Sequence, residues 1–480
     1  MSNKFIMDGE LSQEQAPFFE ELLRYSKQPL KAFHTPGHRN GQCWEKDWFR
    51  PEILGKLDLT EIPSLDWSGS LEKAEKLAAS LYKADQSFFL TQGASQGILG
   101  AILGAFSPGD IVLVARNCHS SVIHGIILAD LNPVYVEPEY LDKWGIPAGV
   151  DRNSLQAKLE TYPNCKGLII TNPTYQGIAE PVKIIRDLIG ERLLIIDEAH
   201  GGYLGWSGLT GFDAAEVGDL WIQGTHKLLG SLTQTGMLHL RKKRLDPERV
   251  KRSLELVTTT SQSYILLASL DSNRRFLATT GKKLFQEKLS FIQDYKLNLL
   301  NKESIAILVD SELADPSKKV DPWKLTISAD SWGVSGFEVE QVLERDYGIQ
   351  PEYADLNQLT FFIEPWQDPN DLEELLQALF KVTLNSGKAK NRFRAPEGIP
   401  PLMIKPREAS LGPGKWIELK KAAGNISAAI LAPYPPGIPL VGPGELIQDK
   451  EIDLIEEILN CGGVVRGVTS QGKILVSNLG

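Results

Sequence analysis

Residues 192–227 read RLLIIDEAHGGYLGWSGLTGFDAAEVGDLWIQGTHK, and two apolar runs inside this stretch, RLLIID (192–197) and DLWIQG (219–224), each lead into a polar cluster. Short β-prone runs separated by helix-like segments predict βαβ units, and so a parallel sheet covered on both faces. The same pattern continues upstream with SFFL (87–90), DIVLVA (110–115), PVYVEP (133–138) and KGLIIT (166–171). The clusters TQGAS, RNCHSS, NPTYQG, DEAHGG and THK each follow one of these runs. Open α/β sheets bind ligands beyond the carboxyl ends of their strands, so five such clusters predict one convergent site. The expected class is α/β, with a mostly parallel central sheet flanked by helices.

Beyond this core the pattern changes. WKLTISAD (323–330), FEVEQVLERDYG (337–348), QLTFFIEP (358–365) and DLEELLQALFKVTL (371–384) mix strand and helix periods, which predicts a smaller α+β domain. The expected division is an N-terminal arm at 1–45, a large domain at 46–300, the small domain at 301–385, and a linker with a C-terminal α/β segment at 386–480. The arm carries an amphipathic start (PFFEELLRYS, 17–26), and NSGKAKNRFRAPEGIPP (385–401) reads as the linker.

Across 480 residues, 51 Lys and Arg oppose 61 Asp and Glu, a formal charge of −10. Nucleic acid and anionic membrane surfaces demand a concentrated positive face, so neither is an expected partner. No stretch reaches the roughly 18 consecutive apolar residues of a membrane span. Cys43, Cys118, Cys165 and Cys461 form no C-x-x-C pair, which fits a reduced, cytoplasmic setting and suggests no zinc ribbon.

Lys227 lies just after a short strand, beside Thr225 and His226, a setting suited to an amine that must lose its proton to form a Schiff base. Most lysines are only solvated charges, and T-H-K alone does not single this one out. Asp197 adds weight, because a carboxylate ending an apolar strand is costly unless it meets a cation. A pyridinium nitrogen is such a cation; capping the next helix is the plainer role. In TQGASQG and the segment after it, Gly93, Gly97, Gly100 and Gly104 recur at helical spacing, giving a face that can approach the sheet closely. The N–H groups at that helix start, with Ser95, offer an anion cup. It reads equally as a tight turn into a packed helix. His119, at another strand end, is placed to stack on a planar cofactor or move protons, though a loop histidine needs no ligand. His200, Asn172 and Thr174 are possible hydrogen-bonding partners for ring substituents. His34 and His38 are separated by Pro36 and Gly37, which breaks helical metal spacing. The zinc-hydrolase, serine-hydrolase, P-loop and dinucleotide fingerprints are missing from the sequence.

A lysine, a strand-end aspartate, a phosphate cup and a stacking histidine together form the parts list of a pyridoxal 5'-phosphate site on an aminotransferase-like fold. From about residue 30 onward the sequence also resembles the bacterial Orn/Lys/Arg decarboxylases, in the short form without an N-terminal wing domain. FHTPGHRNG, TQGASQG, RNCHSS, NPTYQG, DEAHGG, THKLLGSLTQTGMLH, TTTSQSYILLASLD and YPPGIPLVGPGE match its segments in order. The resemblance implies Lys227 as the Schiff-base lysine, Asp197 on the pyridine nitrogen and His119 stacked on the ring. It also implies Ala94, Ser95, Thr225 and His226 around the phosphate, with His200 near the phenolic oxygen.

The activity so implied is decarboxylation of arginine, lysine or ornithine to an amine of polyamine metabolism, with an aminotransferase or aldolase of the same fold as the alternative. A homodimer or higher homo-oligomer is implied, with FHTPGHRNG and YPPGIPLVGPGE reaching active sites across a two-fold interface. Two positions depart from the family pattern: Ser120, where lysine is common, and Ala429, where many short members carry glutamate. The carboxylate for the substrate's distal cation is therefore sought at Glu445, Glu352 or Asp355. Glu445 is preferred because PPGIPLVGPG stiffens the backbone before it.

Overall fold

The computed structural model describes residues 27–39, 41–44, 55–301, 305–384, 398–434 and 437–479. At its centre lies a seven-stranded sheet of β1 (Gln86–Leu90), β2 (Ile111–Ala115), β3 (Asn132–Val136), β4 (Gly167–Thr171), β5 (Leu193–Asp197), β6 (Leu220–Gln223) and β7 (Gly236–Leu240). Their spatial order is β1-β7-β6-β5-β4-β2-β3, and every pairing is parallel except those made by β7. Six of these strands coincide with the apolar runs read from the sequence. β7 does not stand out there, because His239 interrupts its apolar character. In the fold His239 is fully buried and bonded on both ring nitrogens, to Ser87 Oγ at 2.6 Å and Gln223 Oε1 at 3.1 Å. Those bonds offset the desolvation that would otherwise keep an imidazole out of a central strand.

Alternation along the strands feeds two cores. Val112, Val114, Ile169, Ile195 and Ile222 point to one face, where helices α1 (Gly93–Ala105) and α2 (Ser120–Ala129) cover them. Leu113, Leu168, Ile170, Leu194 and Ile196 point to the other face, under Leu155, Ile185 and Ile189. The glycine face of α1 serves two neighbours. A Cβ at Gly97 would lie 2.6 Å from Leu90 of the sheet, whereas one at Gly100 would lie 2.3 Å from Leu254 and one at Gly104 2.9 Å from the Val250 backbone. Only the first of these approaches the sheet; the other two admit the helix Pro247–Glu255. Gly104→Ala therefore forces two helices apart and is expected to lower stability by about 1–3 kcal/mol, measurable by chemical denaturation.

The small domain is built on an antiparallel sheet of Lys324–Ser328, Gln358–Phe362 and Tyr353–Ala354, backed by the helices Gly336–Tyr347 and Pro369–Leu384. Its Leu325, Phe361 and Leu375 share one core with Leu270, Ile292 and Leu299, so packing continues across the boundary expected near 300. The strand Lys31–Phe33 pairs parallel with Ile349–Pro351, and the Phe33 ring meets Phe361 edge-on at 5.9 Å. The strand Lys31–Phe33 of the expected arm is thus an edge of the small domain. The expectations for 17–26 and for most of the linker, 385–397, lie outside the described residues. A last unit joins Gly414–Glu418 to Lys473–Ser477 and Ala432–Tyr434 to Val464–Arg466 around the helix Asp449–Asn460. Among the described residues no helix is long and apolar enough to cross a membrane.

Candidate active site

Neighbouring strands β4, β5 and β6 end at the same level, because Asp197 stands opposite Thr171 on one side and Ile222 on the other. The turn after β6 brings Lys227 back over this edge, with Nζ 2.5 Å from His200 Nε2. Enclosure of the amine lowers the Lys227 pKa, against the pull of Asp197 and Glu352. His200 is held well below the usual histidine range, first by burial and then by Lys227. Protons therefore reside on the lysine in preference to the imidazole. Asp197 is 3% exposed, accepts a hydrogen bond from Ala199 N–H at 3.1 Å, and has its pKa raised by burial.

A cavity of about 460 Å³ opens above these groups, lined also by Gly93, Ala94 and Ser95 at the start of α1 and by His119 at the start of α2. His119 accepts from Ser121 N–H at Nδ1 (3.2 Å), which leaves the ring hydrogen on Nε2, and burial depresses its pKa to about 4. His226 lines the cavity but donates from Nδ1 to Thr235 O at 2.7 Å, and burial lowers its pKa to about 4. While neutral, its Nε2 has no hydrogen to give an anion. Thr225 is fully buried, and its hydroxyl donates to Thr235 Oγ1 at 3.2 Å, away from the cavity wall. The anion cup expected of four residues thus reduces, in direct donors, to the backbone and hydroxyl groups around Ala94 and Ser95.

Glu352 also lines the cavity. One of its oxygens accepts from Thr35 N–H and the other from Tyr175 Oη–H, both at 2.6 Å. The two alternative carboxylates are spent elsewhere. Glu445, preferred from the sequence, is fully buried and receives both terminal nitrogens of Arg116, at 2.6 and 2.7 Å, and Gly442 N–H at 2.6 Å. A carboxylate beside a buried guanidinium takes that cation first, so the expectation for Glu445 is corrected. Asp355 accepts from the N–H groups of Asn357 and Gln358 and from the Tyr353 hydroxyl, closing its own turn. It too lies outside the cavity lining.

Several lining residues were not singled out from the sequence: Asn117, Thr171, Tyr175, Tyr434 and Ile438. Asn117 and Tyr175 belong to the clusters RNCHSS and NPTYQG, so strand-end position was the available signal. Tyr434 and Ile438 come from the C-terminal unit and reach the cavity of their own chain. Gly37 likewise packs on its own chain, donating to Lys227 O at 2.8 Å. Both segments therefore contribute contacts to the site of their own chain.

Three buried polar atoms of lining residues, His200 Nδ1, Asn117 Oδ1 and Thr171 Oγ1, lack a partner among the described residues. Buried polar groups left unpaired cost about 1–3 kcal/mol each, so such a cavity calls for a polar occupant. Together with an enclosed carboxylate, an amine and a helix start, they fit the acceptors, ring nitrogen, aldehyde and phosphate of pyridoxal 5'-phosphate.

A strand-end lysine and aspartate at the carboxyl edge of this sheet define the aminotransferase-like class of α/β enzymes. Residues 16–371 match the family described as Orn/Lys/Arg decarboxylase, major domain, and residues 400–461 match its C-terminal domain. The chain belongs to the Orn/Lys/Arg decarboxylase family and is an amino-acid decarboxylase. It is 34% identical to an arginine decarboxylase of Bacillus subtilis, over 95% of this chain and 96% of that protein. In fold it is similar to the constitutive lysine decarboxylase of Escherichia coli (TM-score 0.76, 21% identity, 97% of this chain and 82% of that one). It is also similar to an alanine–glyoxylate aminotransferase from Nostoc (TM-score 0.56, 16% identity, 74% and 96% covered).

Proposed function

We propose that the chain decarboxylates a basic amino acid in the cytoplasm with pyridoxal 5'-phosphate as cofactor, arginine being the favoured substrate and a homodimer the working unit. The observation that carries this reading is one cavity lined by an amine, a strand-end carboxylate, a helix start and the separate carboxylate of Glu352. Arginine is favoured over lysine because the 34% likeness spans nearly the whole length of an arginine decarboxylase. The amine produced belongs to polyamine metabolism. Bound at Lys227, the cofactor would supply an electron sink for the electron pair left when CO2 departs.

The chain's own groups divide the remaining work. Asp197 holds a positive charge at the floor of the cavity. His200 Nε2 accepts a hydrogen bond from Lys227, and its Nδ1–H is a free donor for an anionic oxygen. Ala94 and Ser95 bind phosphate at the start of α1. His119 covers the cavity with its Nε2–H, and Lys227 or His119 returns a proton to Cα. Glu352 receives the substrate's distal cation. Both of its oxygens are already fixed by neutral donors, so the carboxylate meets that cation without losing rotamer freedom.

Two measurements test this reading. Titration with pyridoxal 5'-phosphate, followed by borohydride reduction and peptide mapping, should place one pyridoxyl group per chain on Lys227; a group on any other lysine refutes the assignment. Glu352→Gln should raise KM for arginine about 10- to 100-fold, the equivalent of a charge-assisted hydrogen bond of roughly 1.5–3 kcal/mol. An unchanged KM would remove Glu352 from substrate recognition.

A further inference from the structure

The segment from Phe33 to Arg39 ties two walls of the cavity together, and we propose that Arg39 is a positioning residue that holds this strap and thereby aims Glu352. The proposal rests on the reading of Glu352 as the partner of the substrate's distal cation.

The strap leaves the small-domain edge at Phe33, beside the strand Ile349–Pro351 that immediately precedes Glu352. Thr35 N–H donates to Glu352 Oε2 at 2.6 Å. Two residues on, Gly37 N–H is shared between the carbonyls of His226 at 3.1 Å and Lys227 at 2.8 Å. No side chain fits there, since a Cβ at position 37 would lie 2.0 Å from Lys227 O. The other face of the peptide is held as well, by Trp366 Nε1–H donating to Gly37 O at 2.8 Å. The strap therefore spans from the candidate specificity carboxylate to the main chain of the lysine.

A buried guanidinium supplies its charged anchor. Arg39 is 4% exposed and sits at φ 48°, in the left-handed region that non-glycine residues adopt only when their surroundings demand it. One terminal nitrogen donates to His34 O at 2.7 Å, closing the strap on itself. The other donates to Phe362 O at 2.7 Å and pairs with the buried carboxylate of Glu364. A planar fork serves two carbonyls and a carboxylate at once; an ammonium keeps the charge but not that geometry. Arg39 is not among the residues lining the cavity, so any effect on substrate must pass through the strap. With the fork gone, the strap loses its bonds through His34 O and Phe362 O, Thr35 is less firmly placed, and one of the two donors that fix the Glu352 carboxylate is weakened.

A double-mutant cycle on the holoenzyme separates positioning from general support. CO2 release from arginine is measured for wild type, Arg39→Lys, Glu352→Gln and the double variant. Arg39→Lys is expected to raise KM about tenfold with kcat within about twofold, and to add less than about twofold once Glu352 is already Gln, the coupling expected of residues in one network. Equal effects of Arg39→Lys in both backgrounds, or a loss confined to kcat, would overturn the positioning role. If Arg39→Lys does not fold, Glu364→Gln takes its place in the same cycle with the same expectation. A Glu352→Gln variant with unchanged KM would overturn the reading of Glu352, and this proposal with it. A raised KM in Glu352→Gln with an additive cycle would overturn this proposal alone.

Discussion

Lys227→Ala is expected to lower the rate of CO2 release at least about 10³-fold, as removal of a nucleophilic side chain does when no neighbour replaces it. Among the described lysines, Lys227 alone lines the cavity. Lys324, nearby, donates to the carbonyls of Thr174 and Tyr175 at 3.1 and 3.2 Å and is directed away from that role. The fold should survive the change. The amine is held with its pKa depressed by burial, so deleting it removes a desolvated cation and not a core contact. Circular dichroism and a thermal melt close to wild type, alongside lost CO2 release, would meet the expectation. Retained turnover at a tenth of wild type or better would show that another amine does the chemistry.

Asp197→Asn should lower kcat about 10²- to 10³-fold with KM changed only a few-fold, the pattern of a contact that gains strength in the transition state. The carboxylate and the amide are nearly the same size, so the ladder beside Thr171 and Ile222 and the bond from Ala199 N–H can persist. What changes is charge. Burial has already pushed the Asp197 pKa up, so this carboxylate gains from an adjacent cation, and asparagine cannot hold one. Steady-state kinetics on the reconstituted variant decides the matter; a kcat within about threefold of wild type would remove Asp197 from the reaction.

Much of this architecture was legible in the sequence because its signals are local. Six of the seven central strands announce themselves as short apolar runs, and the same runs place Asp197 and Lys227 at strand ends. The residues that were misread depend on partners distant in the chain. Nothing near Glu445 reveals that Arg116, 329 positions away, will claim both its oxygens. Asp355 closes a local turn that looks, in sequence, like any acidic loop. Thr225 adjoins His226 and Lys227, but the turn that carries Lys227 into the cavity sends the Thr225 hydroxyl toward Thr235. The strap shows the same limit from the other side: Pro36 and Gly37 mark a turn, and only the fold shows that the absent side chain at Gly37 makes room for Lys227 O.

The most direct test is a product balance. Purified protein with pyridoxal 5'-phosphate is offered carboxyl-labelled arginine, lysine and ornithine in turn, and labelled CO2, amine and keto acid are measured together. CO2 and the matching amine are expected in equal amounts from at least one of the three, fastest from arginine, with no accumulating keto acid. Keto acid formed without CO2 from all three would contradict it.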